Sequence, residues 1–402
     1  MGAGVGRRRV VSPWAAGLLV VLAAAAGCTG GGSGGSGGSD GGGGGSATGQ
    51  PAAPVQVEVE PAADATGWAP GDPVTVTASG GTLGKVEVAT AAGATVDGRY
   101  DAGRTSWTTT DRLAFGTRYK VVARASNAAG QEASETSVFT TVKATRQVFP
   151  AVSPLRGTTV GVGMPIRVYF DAPITERKAA LARMKVTTSV PTEGAWRWFS
   201  DTEVHWRPKV YWKAGTQVVL TTDLYGVKLG PGVYGGAKAD RHIDFTIGRS
   251  HVSVADARTH RFKVYVDGKL AKDFPASLGK AVKGQHTRSG VHVVTDKKRS
   301  MTMDSTTYGL ALDAGGYRTK VEYATRISNS GEFVHSAPWS VAQQGRENVS
   351  HGCINLSPAN AAWFFGIAQP GDVVSVVGTP VKLTTKETDV PDWTIPWNQW
   401  GE

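Results

Sequence analysis

The feature that most constrains this chain is the spacing of its apolar residues. From residue 52 to about 147 they come in short runs that alternate with polar residues. Examples are Val55-Gln56-Val57-Glu58-Val59, Val74-Thr75-Val76-Thr77 and Tyr119-Lys120-Val121-Val122-Ala123. Gly and Pro clusters such as Ala69-Pro70-Gly71-Asp72-Pro73 separate the runs. A period of two buries one face of a strand and leaves the other wet, and turn signals this frequent predict a β-sandwich. The theme repeats from 148 to 249, in Ile166-Arg167-Val168-Tyr169-Phe170, Ala195-Trp196-Arg197-Trp198-Phe199, Glu203-Val204-His205-Trp206 and Gln217-Val218-Val219-Leu220. Phe149-Pro150-Ala151-Val152-Ser153-Pro154 reads as an extended hinge between the two segments. One short helix is predicted over 176–184. Trp196, Trp198, Trp206 and Trp212 form an aromatic group that fits a saccharide-binding face or, more commonly, core and interface packing.

Residues 250 to 378 read differently. Strands are predicted at 252–255, 261–266, 290–294 and 373–377, and Lys297-Lys298-Arg299 reads as a solvated turn. Ser357-Pro358 writes a helix start, with Ser as N-cap and Pro at the first helical position. That helix runs through Ala361, Ala362 and Phe365 and stops before Pro370-Gly371. The tail, 379–402, carries Trp393, Trp397 and Trp400 among prolines and is expected to pack back on the preceding domain.

The first 27 residues have the grammar of an export signal: Arg7-Arg8-Arg9, an apolar run from Trp14 to Ala26, and the small residues Ala25-Ala26-Gly27 before Cys28. The apolar run is too short for a comfortable transmembrane helix, which needs ~20 residues. Small residues followed by Cys resemble a bacterial lipobox, which implies cleavage before Cys28 and lipidation of its sulfur; plain signal cleavage is the other reading. Residues 28–51 then form a lipid-anchored Cys and a Gly/Ser linker. The expected location is outside the cell membrane, lipid-anchored and facing the wall. The formal net charge of +10 falls to +7 once three arginines leave with the signal. That excess favours anionic partners such as wall carboxylates or lipid headgroups. No basic run is interleaved with aromatics, so nucleic acid is not an expected partner.

The chain has two cysteines, so an exported form without Cys28 free keeps one thiol, Cys353. A thiol with no disulfide partner invites a chemical reading. It lies in Ser350-His351-Gly352-Cys353-Ile354-Asn355, with fourteen residues between His335 and Ser350. A cysteine nucleophile needs a base or a cation, and His335 supplies either. No Asp or Glu follows or precedes His335 closely enough to orient it, apart from what the fold brings in, so a backbone carbonyl, nearest that of Ser336, is the candidate orienter. Gly352 permits a strained turn, and the N–H groups of Gly352 and Cys353 are candidate oxyanion donors. Asn355 is placed to bond substrate or hold the turn. Residue types and spacing alone leave catalysis and inert packing equally open. A zinc site from His335, His351 and Cys353 would lack a fourth ligand, and no acidic loop has calcium-ligand spacing, so no metal and no cofactor are expected.

The span from His335 to Asn355 reads His-x14-Ser-His-Gly-Cys-Ile-Asn. It resembles the signature of the L,D-transpeptidase family of bacterial wall enzymes: a His, a spacer, Ser/Thr-His-Gly-Cys, one residue and Asn. Met303-Asp304-Ser305-Thr306-Thr307-Tyr308-Gly309, Gly316-Tyr317-Arg318-Thr319 and Phe333-Val334-His335-Ser336-Ala337-Pro338-Trp339 are similar to stretches of the actinobacterial lipoprotein members with two Ig-like domains. The resemblance implies a mainly β chain. It would have Ig-like sandwiches at 52–147 and 148–249, a β-rich YkuD-type catalytic domain at 250–378 with a short helix after the nucleophile turn, and the tail at 379–402.

By the same resemblance, Cys353 attacks the carbonyl between meso-diaminopimelate and the terminal D-Ala of a tetrapeptide stem. The amine of a second stem resolves the thioester into a 3→3 cross-link. His335 takes the thiol proton and later serves the incoming amine. Tyr317, Ser330, Gly331 and Asn355 line the substrate site, Tyr308 and Trp339 belong to its lid and walls, and His351 is structural or orients substrate. Donor and acceptor stems and carbapenem inhibitors are the implied partners. Arg288 in Thr287-Arg288-Ser289-Gly290 stands where members often carry Pro, which leaves the shape of that loop open. Two rival functions remain: an L,D-carboxypeptidase, in which water resolves the same thioester, and a wall-binding protein with an inert thiol.

Overall fold

The computed structural model describes residues 53–401 apart from Leu310. The export signal, Cys28 and the Gly/Ser linker fall outside the described residues, as does the side chain of Tyr308. Among the described residues no helix is long and apolar enough to cross a membrane.

The first sandwich stacks two four-stranded sheets. One runs in the order Gln56–Glu60, Thr75–Ser79, Ser106–Thr109, Gly98–Tyr100, and the other in the order Thr66–Trp68, Glu132–Thr141, Arg118–Ser126, Thr82–Thr90. In Arg118–Ser126 the alternation is strict: Tyr119, Val121, Ala123 and Ala125 point inward, where they meet Trp107, Leu83 and Phe139. Side chains of this size stabilise the fold by ~1.5–3 kcal/mol each on full burial.

The second sandwich pairs the sheet Pro150–Ser153, Ile166–Phe170, Glu203–Pro208, Gly194–Trp198 with the sheet Thr159–Val160, Arg241–Ile247, Gln217–Thr222, Met184–Thr188. The expected hinge at 149–154 is therefore a strand: Val152 is buried opposite Val168, and the polar backbone is satisfied by antiparallel pairing. The predicted helix is one and a half turns, Arg177–Ala182. Trp198, Trp206 and Trp212 are buried in the core and Trp196 packs against it, so core packing accounts for the aromatic group. Arg146–Val148 pairs with Val233–Gly235 of the second sandwich, which stitches the two sandwiches together where the chain passes between them.

The catalytic half is built on two sheets. One holds five strands in the order Lys269–Pro275, Arg261–Val266, His251–Asp256, Val373–Val377, Gly290–Val293. The other holds four: Asp296–Asp304, Arg318–Arg326, Phe333–Ser336, Ile354–Leu356. Phe262, Leu278, Val334, Ile354, Phe364 and Val374 form the core between them. Lys297-Lys298-Arg299 lies within a strand and not in a turn; Lys297 sends its Nζ to the carbonyls of Phe365 and Ala368, at 2.8 and 2.7 Å. Those carbonyls end the helix Pro358–Ile367, where a cation is favoured by the helix dipole. The Ser357 hydroxyl caps the other end by accepting from Asn360 N–H at 3.4 Å.

The tail does more than pack on the domain before it. Residues near its start pair with the catalytic half, as Leu383 N–H donates to Ser289 O at 2.8 Å. Its end lies on the second sandwich. Trp393 Nε1 donates to Gly163 O at 2.7 Å and Trp400 Nε1 to Ala195 O at 2.9 Å. The buried Arg207 guanidinium lies 4.5, 5.2 and 4.4 Å from the rings of Trp393, Trp397 and Trp400. Gly163 N–H also donates to Gly371 O at 2.8 Å, so the catalytic half rests on the second sandwich through both loop and tail.

Candidate active site

The site is set by two adjacent parallel strands. Phe333–Ser336 pairs with Ile354–Leu356 so that His335 faces Asn355 in register, two residues beyond Cys353. The tight turn before Ile354 is closed by Ser350. Its Oγ donates to Cys353 O at 2.6 Å and accepts from Gly352 N–H at 3.1 Å. Gly352 has φ +130°, a conformation side chains rarely adopt, so glycine is required there. Its N–H is committed to Ser350, which corrects its expected place as an oxyanion donor; Gly352 shapes the turn, and of the two groups proposed the Cys353 N–H is left for that part.

His335 and Cys353 line one cavity of about 300 Å³ together with Tyr317, Trp339, His351 and Asn355. His335 Nδ1 lies 2.8 Å from Ser336 O. A carbonyl can only accept, so Nδ1 carries the proton and Nε2 is free of one, which is the tautomer a base needs. Burial pulls the His335 pKa down to about 4, against the weaker pull of the Ser336 bond. Burial also pushes the Cys353 thiol up to about 12, with the Phe333 N–H working against it. The resting pair is thus neutral thiol and neutral imidazole. Of the two roles expected for His335, base and imidazolium, the fold supports the base.

Other expected residues fall as follows. Tyr317 stacks at a tilt on His351, with centroids 4.9 Å apart. His351 is half-buried, and burial and then the Lys280 charge hold its pKa below the ordinary value. Asn355 is buried and its Nδ2 donates to Ser340 Oγ at 3.1 Å, so it holds the turn while one edge reaches the cavity. Trp339 is 56% exposed at the rim, its ring 6.0 Å from that of His335. Tyr308 ends the 3-10 turn Ser305–Tyr308. Ser330 and Gly331 line a second cavity of about 340 Å³, which shares Met303 and Tyr317 with the first. Ser330 Oγ is engaged by Ser328 Oγ, Arg288 Nη1 and Glu387 O, so it is a loop tie as well as a wall. Cys353 Sγ donates to Gly331 O at 3.6 Å, which ties the thiol of the first cavity to a wall residue of the second. Glu332 is a further buried carboxylate near the thiol, marked in the sequence only as a lone acid heading the apolar run Glu332-Phe333-Val334.

Comparison with known proteins agrees with this geometry. Residues 250–379 match the model of the L,D-transpeptidase catalytic domain, and residues 65–228 match that of a bacterial Ig domain. L,D-transpeptidase 2 of Mycobacterium tuberculosis is 41% identical over 329 residues, spanning 82% of this chain and 79% of its own. L,D-transpeptidase 5 of the same organism is 36% identical over 356 residues, spanning 87% and 77%. The chain belongs to the L,D-transpeptidase family. Among solved structures, that of the LD transpeptidase LdtMt1 in complex with imipenem is 38% identical, with a TM-score of 0.50 over 58% of this chain and 99% of that one. The L,D-transpeptidase described here is accordingly a mainly β acyltransferase with Ig-like sandwich and YkuD-type catalytic parts. Its cysteine nucleophile has one candidate among the described residues, since Cys353 is the free cysteine there.

Proposed function

We propose that this L,D-transpeptidase forms 3→3 cross-links between peptidoglycan stems through a Cys353 thioester. The observation that carries the reading is one thiol and one histidine lining the same cavity, the histidine bonded through Nδ1 to the Ser336 carbonyl so that Nε2 is left to take a proton. As Sγ attacks the carbonyl that links meso-diaminopimelate to D-Ala, its proton passes to His335 Nε2. The carbonyl oxygen gains the negative charge, the C–N bond breaks, and the leaving D-Ala amine takes the proton from Nε2. The second stem's amine then attacks the thioester, gives its proton to His335, and the thiol leaves reprotonated.

An ion pair at rest would be stabler for a thiolate enzyme, but burial here opposes both charges. Proton transfer is therefore coupled to C–S bond formation, and the Cys353 N–H is the candidate donor for the charge that develops on the carbonyl oxygen. Two cavities suit two stems, which favours transpeptidation over hydrolysis by water. Carbapenems, whose strained carbonyl presents the same electrophile, are expected to acylate Cys353. We further propose that Cys28 carries lipid and that the linker holds the enzyme outside the membrane, facing the wall.

Incubating the protein with a disaccharide-tetrapeptide and reading products by mass spectrometry tests the reading. Dimer less D-Ala is expected, and Cys353→Ala should form none. Tripeptide alone would establish the carboxypeptidase instead, and no turnover of a competent substrate would overturn both.

A further inference from the structure

The sulfur of Cys353 is held by a strip of backbone. Gly331 O accepts from Sγ on one side, and the Phe333 N–H bonds the sulfur on the other. Glu332 lies between them and is 2% exposed. Its Oε1 accepts from Arg288 N–H at 2.9 Å and from Arg288 Nη1 at 3.3 Å. The same Nη1 donates to Ser330 Oγ at 3.2 Å, and Glu332 N–H donates to Ser328 Oγ at 3.1 Å. Glu332 Oε2 has no hydrogen-bond partner and lies 3.8 Å from His292 Nδ1. Glu332 Cγ lies 3.8 Å from where a Cβ on Gly352 would stand, so this carboxylate backs directly onto the nucleophile turn.

A buried carboxylate persists only when paired, and Arg288 supplies the pairing cation. Two consequences follow for the thiol. The pair ties the chain at 330–332 to the loop at 288 and so fixes the two backbone groups that grip the sulfur. Its charges also matter, because a carboxylate this close opposes formation of a thiolate. The Glu332 charge disfavours the Cys353 thiolate and the Arg326 charge favours it. The remaining titratable neighbours are His335 on the adjoining strand, His351 in the turn with Lys280 behind it, and Tyr317 across the cavity.

We propose that Arg288 and Glu332 are a pair of positioning residues for acyl transfer: together they fix the strip that holds the Cys353 sulfur, and Arg288 offsets the Glu332 charge that opposes thiolate formation. This rests on Cys353 as the nucleophile but not on which acceptor resolves the thioester. It also gives Arg288 two parts: it shapes its loop and balances an acid buried beside the reaction centre.

The test is the rate of Cys353 alkylation by iodoacetamide between pH 7 and 9, read on the full chain by mass spectrometry of the Cys353 peptide. A shift of one unit in thiol pKa changes the thiolate fraction about tenfold. Arg288→Gln is expected to slow alkylation by about tenfold, Glu332→Gln to speed it by about tenfold, and the double variant to return to within about threefold of the parent. Arg288→Lys keeps the charge and loses the fork, so it should lie between the parent and Arg288→Gln. Equal rates in every variant would overturn the proposal. So would two slow single variants with a slower double variant, the pattern of contacts that only stabilise the fold. If Arg288→Gln does not fold, Glu332→Gln decides alone: it keeps the acceptor oxygen and removes only the charge, and failure to accelerate overturns the proposal. Alkylation needs no wall substrate, so this outcome is read separately from the cross-linking assay.

Discussion

Two of the buried histidines of this enzyme, His335 and His205, are driven in opposite directions by the regions that hold them. In the catalytic cleft, His335 bonds the Ser336 carbonyl, and burial lowers its pKa to about 4. Under the C-terminal tail, His205 is 0% exposed and lies 3.0 Å from Asp392 and 2.8 Å from Glu203. Burial works against its charge too, but the bonds to Asp392 and then Glu203 outweigh it and raise its pKa above the ordinary histidine value. Desolvation is common to both sites, and the neighbouring carboxylates decide the sign. A neutral histidine can receive a thiol proton. A histidine whose carboxylate partners favour its charged form is poorly suited to that, and His205 serves as a bolt between the tail and the second sandwich.

The largest expected effect tests that bolt. Asp392 is itself 0% exposed, so Asp392→Ala removes from the buried His205 the one carboxylate partner that is buried with it. It should lower unfolding free energy by about 3–5 kcal/mol in urea titration, while the alkylation rate of Cys353 at neutral pH stays at the parental value. A variant as stable as the parent would show that the seam does not depend on the pair.

These two sites were not equally legible in the sequence. The sandwiches, four of the five strands of one catalytic sheet and the helix at Ser357-Pro358 follow from period-two alternation and capping, which are local signals. Cys353 and His335 stood out because a lone thiol and a spaced block of polar residues are rare patterns. The His205 bolt was invisible: it joins residues 187 positions apart, and no local rule pairs His205 with Asp392. Arg288 and Glu332, 44 positions apart, were hidden in the same way. The hinge at 149–154 failed for a related reason, since prolines flank a strand whose partner lies later in the chain. Gly352 was recognised as a turn former, but its N–H partner, Ser350, became clear only from the turn's geometry.

The next effect in size is the pH dependence that the contrast predicts. His335 has a lowered pKa in the fold, so its contribution to stability is full above about 6.5 and is lost as pH falls toward about 4. Between pH 7 and 5 this amounts to about 2 kcal/mol. His205 has a raised pKa, so its contribution is full below the unfolded value and is lost as pH rises through the folded one. His335→Gln should therefore lose less stability than the parent when melting is measured at pH 5 instead of pH 7. Equal losses in both proteins would mean that His335 is not held neutral by burial, and the contrast with His205 would collapse.

The smallest effect separates the two carboxylates that hold His205. Glu203 is 32% exposed whereas Asp392 is wholly buried, and the His205 bond keeps the Glu203 carboxyl below its usual pKa. Water screens a partly exposed pair, so Glu203→Gln, which retains an acceptor oxygen for His205, should cost under about 1 kcal/mol. It should also bring the loss of stability on raising pH to a lower pH, because one of the two charges that raise the His205 pKa is gone. Urea titrations of this variant and of Asp392→Ala across pH 6 to 9 give both quantities. If the two substitutions cost the same, burial of the counterion is not what distinguishes them. The seam would then be held by the tail's tryptophans around Arg207, and His205 would be a passenger in it.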